Sequence, residues 1–295
     1  MMFDPPEKHA LTHVARIPQA LRKSRRSAWA DARLHGAELD AFLEGPVMTP
    51  EGDLLMVDIP FGRILRLSAD LDWSVVTEYD GWPNGLKRLP DGRLLVADHR
   101  LGLLRITPDS GVVEVLADAF EGRPLHGPND LTLARDGTIF FTDQGASGLD
   151  APYGRVLRFR DGELQLVLGN VPGPNGLVLS EDERTLFLAV TRANAVWRVP
   201  LTEAGTAEKA GLFLQLSGGI GPDGLAWCDS SRDLLVAHPG LGVWSFSRDG
   251  RPVRFFSAEG ATYTTNLVAV GGGRFFVTES LRAEIHELHT VEQGR

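Results

Sequence analysis

The sequence predicts an all-β protein, a six-bladed β-propeller with four antiparallel strands per blade, and three observations predict it. A polar residue ahead of a short apolar pattern recurs six times, as Glu44-Gly45-Pro46-Val47, Asn84-Gly85-Leu86, Asn129-Asp130-Leu131, Asn175-Gly176-Leu177, Asp223-Gly224-Leu225 and Asn266-Leu267. The copies lie 40, 45, 46, 48 and 43 residues apart, a spacing typical of propeller blades. The frame inside the repeat also holds. Glu44 to Gly52, Asn84 to Gly92 and Asn129 to Gly137 are each 8 residues, and Asp58, Asp98 and Asp143 each follow the polar residue by 14. In later copies His238 and Glu279 take that place, at 15 and 13.

Residues 1–40 stand apart as a leader. They carry Arg16, Arg22, Lys23, Arg25, Arg26 and Arg33 and lack strand alternation, so a solvated segment packed on the propeller rim is expected. Such a leader can also supply a strand that helps close the ring. Residues 41–295 are expected to form the propeller. Its second repeat is the clearest: strands over 85–89, 93–98, 103–107 and 112–116, with Pro90-Asp91-Gly92 and Pro108-Asp109-Ser110-Gly111 as turns. Pro-Asp and Asp-Gly pairs turn the chain because glycine accepts positive φ without strain. The residue ending each second strand is expected to bond neighbouring loops.

Composition narrows the function. Thirty basic against 39 acidic residues leave a net charge of −9, which argues against nucleic acid as a partner. No apolar run reaches the roughly 18 residues of a membrane span or the pattern of a signal peptide, so no membrane association and a cytoplasmic location are expected. Cys228 is the single cysteine, which excludes an internal disulfide or thiolate cage. The sequence holds no G-x-S-x-G, H-E-x-x-H, P-loop or G-x-G-x-x-G motif. A monomer or weak homo-oligomer is expected.

In a closed ring the six polar positions face one axis. Glu44, Asn129, Asn175 and Asp223 then offer two carboxylates and two amide carbonyls, an all-oxygen set suited to one hard divalent cation. Four protein ligands leave room for water and substrate. Ca2+ is the first choice for such a cage, and Zn2+, Mn2+, Mg2+ or Fe2+ also bind oxygen sets. Taken singly, Asn and Asp beside Gly are ordinary turn formers; their six-fold register points to the metal.

The strings LEGPV (43–47), NGLKRLPDGRLLVADH (84–99), GPNDLTLARDGTIFFTDQG (127–145) and GPDGLAWC (221–228) resemble the gluconolactonase and regucalcin (senescence marker protein) family of six-bladed propeller lactonases. The resemblance covers about residues 42–285. It implies the same four metal ligands, Asp223 as ligand and general base, and Asp130 as a supporting carboxylate. Asn84, His238 and Asn266 are expected to orient the hydroxyls of a small-molecule lactone. The implied activity is metal-dependent opening of a sugar-type lactone; the alternatives are a promiscuous aryl-esterase or phosphotriesterase-like hydrolase, or a non-catalytic calcium-binding propeller. The mammalian branch of that family has an Arg two residues before the second ligand, where this chain has Gly127 beside His126.

Overall fold

The computed structural model describes residues 5–291 apart from 24, 109 and 261. Six sheets follow one another around a ring. Their innermost strands are Leu43–Met48, Pro83–Arg88, Pro128–Leu133, Pro174–Leu179, Leu225–Trp227 and Thr264–Gly271. The second strands Leu54–Asp58, Leu94–Asp98, Ile139–Asp143 and Leu234–His238 are buried at every residue. Each is sandwiched between neighbouring blades, which is why it reads LLMVD or LLVAD rather than alternating. The fourth strands, such as Val112–Ala117, carry the exposed residues.

The hairpins between first and second strands obey the predicted turn chemistry. Gly52, Gly92 and Gly137 have φ of 92°, 89° and 86°, and their N–H groups donate to Thr49, Leu89 and Ala134 at 3.1, 2.9 and 3.0 Å. Glycine closes a four-residue turn at its last position without steric conflict.

The leader is woven into the ring. Glu7–Ala10 adds a fifth, parallel strand beside Pro252–Ser257. Thr12–Arg16 is the outermost strand of blade 6, antiparallel to Glu284–His289. Of the two readings of the leader, the pairing matches the strand that helps close the ring: blade 6 draws three strands from residues 264–289, and the early segment supplies the fourth. A short helix, Ala28–Arg33, follows, capped by Ser27 Oγ accepting from Ala30 N at 3.1 Å.

The carboxylates that end the second strands tie loops, as expected. Asp58 accepts from Phe42 N at 2.8 Å and Arg63 Nε at 2.9 Å. Asp98 accepts from Arg100 N, Leu101 N and the Tyr79 hydroxyl. Asp143 accepts from Gly127 N and Arg155 Nε, and Glu279 from Tyr263 N and Arg282 N.

Candidate active site

Five of the polar residues lie inside the innermost strands rather than ahead of them, and Asp223 precedes Leu225–Trp227 as expected. In five blades the pairing register shifts beside them, between Glu44 and Val47, Pro83 and Gly85, Pro128 and Leu131, Pro174 and Leu177, and Thr264 and Asn266. A bulge bends the strand and re-aims the side chain. The glycine that follows lets the next blade approach. A Cβ at Gly45 would lie 2.4 Å from Asn84 O, one at Gly176 2.4 Å from Asp223 O, and one at Gly224 2.2 Å from Asn266 Oδ1. Blades 3 and 6 break this pattern with Asp130 and Leu267.

Glu44, Asp130 and Asp223 converge on the axis. Asn266 Nδ2 donates to Glu44 Oε2 at 3.1 Å and to Asp130 Oδ2 at 3.3 Å, joining blades 1, 3 and 6 across the channel. Burial, the charge of Glu44 and then that of Asp130 push the Asp223 carboxyl well up. Glu44 is raised to about 7 by burial and the Asp130 charge, and Asp130 is raised by burial, opposed by Lys87. Three acids, Glu44 and Asp130 buried and Asp223 half-buried, are thus held together, with no cation at hydrogen-bond distance among the described residues.

The amides fit an incoming cation. Asn129 Nδ2 donates to Gln144 Oε1 at 3.3 Å, and Asn175 Nδ2 to Thr191 Oγ1 at 3.2 Å. Neither Oδ1 accepts a hydrogen bond among the described residues, so each could turn to a metal. Thr191 is fixed in turn by donating to Pro222 O at 2.7 Å. Among the described residues no three His, Cys, Asp or Glu side chains form a ready-made metal cluster; the set depends on these two amide oxygens.

The three expected substrate-orienting residues divide. Asn84 is half-buried and its amide makes no hydrogen bond among the described residues. Asn266 is otherwise committed, its amide nitrogen serving Glu44 and Asp130 and its Oδ1 accepting from Leu267 N at 2.9 Å. His238 is fully buried, and its Nε2 lies 3.1 Å from Gly218 O. The amide nitrogen of Asn266 is thus taken up by the two carboxylates, and the His238 ring lies against the Gly218–Gly219 loop.

Several further residues stand at this end of the channel. His99, Gln144, Thr191 and Ser280 each directly follow a second-strand terminus, so the repeat register held the signal. His99 stacks on Trp82 at 6.1 Å and is pushed down to about 3 by burial and the Arg33 charge. It is a neutral imidazole. Gly127 has φ 139°, and a Cβ there would lie 2.3 Å from His99 Cε1; no side chain fits at that position. Two surface cavities lie elsewhere. One of about 590 Å3 is lined by Arg16, Gln19 and Arg282, and another of about 650 Å3 by Leu133, Leu179, Trp227 and Arg248. Neither contains a buried carboxylate, whereas the channel does.

Residues 42–280 match the SMP-30/gluconolactonase/LRE-like region. The chain belongs to that family. A gluconolactonase from Zymomonas mobilis is 30% identical over 241 residues, spanning 70% of this chain and 67% of that protein. The solved structure of a gluconolactonase from Xanthomonas campestris superposes with a TM-score of 0.75 at 25% identity, covering 98% of both chains. A calcium-binding protein, regucalcin, from Agrobacterium tumefaciens shares the fold with a TM-score of 0.75 at 21% identity, covering 99% of this chain and 98% of that one. No helix among the described residues is long and apolar enough to cross a membrane.

The electrostatics give a test on the metal-free protein of this family member. The raised Glu44 carboxyl favours the proton in the folded state. Its stabilising contribution is complete below the ordinary carboxylate value and disappears as pH rises through about 7. The melting temperature in chelator should therefore fall from pH 5 to pH 8, and a divalent cation should restore more of it at pH 8. Scanning calorimetry with and without Ca2+ at both pH values checks this; an equal gain at the two would contradict it.

Proposed function

We propose that this chain is a metal-dependent hydrolase that opens the ester bond of a small sugar-type lactone. The observation that carries the reading is the convergence of Glu44, Asp130 and Asp223 on one axis beside the free amide oxygens of Asn129 and Asn175. Three neighbouring acids without a cation are electrostatically costly unless protonated or bound to one. Glu44, Asn129, Asn175 and Asp223 would hold the ion, with Ca2+ the first choice. A divalent ion bound there supplies Lewis-acid polarisation of an ester carbonyl.

The chain's own residues do the rest. Asp223 has its proton affinity raised by burial and by the two neighbouring carboxylates, and it removes the proton from the attacking water. Asp130 is anchored by Leu131 N on one oxygen and Asn266 on the other, so its charge is fixed beside Asp223 and supports that basicity. Asn84 offers an uncommitted amide to a ring hydroxyl. Buried amides and carboxylates left unpaired by an alkyl chain cost about 1–3 kcal/mol each, so a hydroxylated ring is favoured over a long acyl group.

Proton release at constant pH, measured with gluconolactone, xylonolactone, an acyl-homoserine lactone and a phenyl ester, tests the reading. The sugar lactones should give the highest kcat/KM, and chelator should stop turnover. If the phenyl ester or the acyl lactone leads, the sugar-lactone reading fails. Glu44→Ala and Asp223→Ala should both lose metal by elemental analysis; full metal content in both would reject the ligand set.

A further inference from the structure

Two guanidiniums stand at the carboxylate end of the channel without a carboxylate partner among the described residues. Arg33 ends the leader helix Ala28–Arg33, whose Trp29 and Ala30 are buried in the core of blades 1 and 2. Trp29 packs on Phe42 with ring centroids 4.9 Å apart, and Phe42 meets Tyr263 at 5.9 Å, so the helix is held against the ring. From there Arg33 Nη1 reaches blade 3 and donates to Gly145 O at 3.0 Å. Gly145 lies against His126 and Tyr153, whose rings meet edge to face at 5.1 Å. Arg192 comes from blade 4, directly after the Thr191 that holds Asn175. It is exposed, and its stem lies over Gly173, where a Cβ would be 2.7 Å from Arg192 Cγ.

Gly145 follows the Gln144 that holds Asn129, and Arg192 follows the Thr191 that holds Asn175, so the two guanidiniums belong to the same end of neighbouring blades 3 and 4. Burial lowers the Arg33 guanidinium, Tyr153 opposes this and Arg192 adds to it. The Arg192 charge is also felt by Asp223 and Tyr263. Like charges gathered at a half-buried position are unfavourable unless an anion lies between them, and a guanidinium is suited to bind a carboxylate or phosphate through two parallel bonds. Position 127, where an arginine of the blades could have stood, is closed by His99. Arg33 lies outside the matched residues 42–280, so this cation is brought by the leader and not by the repeat.

We propose that Arg33 and Arg192 form an anion subsite beside the reacting centre, and that the preferred substrate is a sugar lactone bearing its own anionic substituent, a carboxylate or a phosphate. This rests on the lactonase reading above. Ring opening places the new carboxylate at the cluster, while the substituent stays on the guanidiniums. The two ends of the substrate are distinguished by charge.

Calorimetric binding of three open-chain acids to the calcium-loaded protein tests the subsite without catalysis. Glucarate carries a second carboxylate, 6-phosphogluconate a phosphate, and gluconate neither. One or both dianions should bind about tenfold or more tightly than gluconate, the yield of about one charge-assisted hydrogen bond, and which one leads names the substituent. Arg33→Ala and, independently, Arg192→Ala should remove most of that preference while gluconate binding stays within about threefold. Arg33→Lys should keep part of it. Equal binding of all three acids by the unaltered protein overturns the proposal. So does a parallel loss for gluconate and the dianions in both alanine variants, because a structural role would move them together. Failure of the lactonase reading is separate: it appears as absent chelator-sensitive turnover with the dianion preference intact.

Discussion

Asp223→Asn should lower kcat by about 10²- to 10⁴-fold, the range of a general-base contribution, while much of the bound metal is retained. The substitution keeps an oxygen donor facing the axis and removes only the basic group. It also removes a carboxyl that burial and the Glu44 and Asp130 charges push up, so the metal-free variant should melt higher than the unaltered protein at pH 8. Single-turnover kinetics with metal analysis on the same sample decide it. A folded, metal-loaded Asp223→Asn enzyme with near-normal kcat would move the base elsewhere, and Asp130, the other carboxylate on the axis, would be tested next.

Arg63→Ala should cost about 3–5 kcal/mol of stability, as expected when one member of a buried ion pair is removed. Arg63 and Asp58 are 1% and 0% exposed. The guanidinium bonds Asp58 through Nε and Nη2 and donates from Nη1 to Leu21 O of the leader at 2.8 Å. Burial already pushes the Asp58 carboxyl up, with Arg63 opposing; without Arg63 the charge is stranded. The melting temperature should fall by about 6–20 °C. Asp58→Asn combined with Arg63→Met keeps an acceptor for Phe42 N and removes both charges, so it should recover more than half of the loss. A double variant no better than Arg63→Ala would show that packing, not the stranded charge, dominates.

Much of the ring was legible because its signals are local. Turn glycines, fully apolar second strands and strand-end acids recur in a fixed frame, and each has a backbone cause within a few residues. The expectation that Glu44, Asn129, Asn175 and Asp223 share one channel end came from that frame. What was not legible depends on contacts between distant segments. Asn266 looks like its five counterparts until Glu44 and Asp130 meet its amide across the channel. His238 looks like a site residue until the loop with Gly218 and Gly219 at φ 73° and 56° folds over it. Arg33 looked like one charge in a basic leader; only the packing of Trp29 on Phe42 carries it toward Gly145.

The outer strand of blade 6 has a consequence for synthesis. Arg16 and its partner Glu284 are separated by 268 residues, so one half of this sheet leaves the ribosome long before the other exists. At about 5–20 residues per second, that interval is roughly 13–54 s. Blades 1 to 4 draw all their strands from consecutive sequence and can assemble as they emerge. Thr12–Arg16 meanwhile waits with an unpaired edge, the kind of edge that invites pairing with another nascent chain. Closure of the circle is therefore a late event, and crowding on the polysome bears on it more than on any single blade.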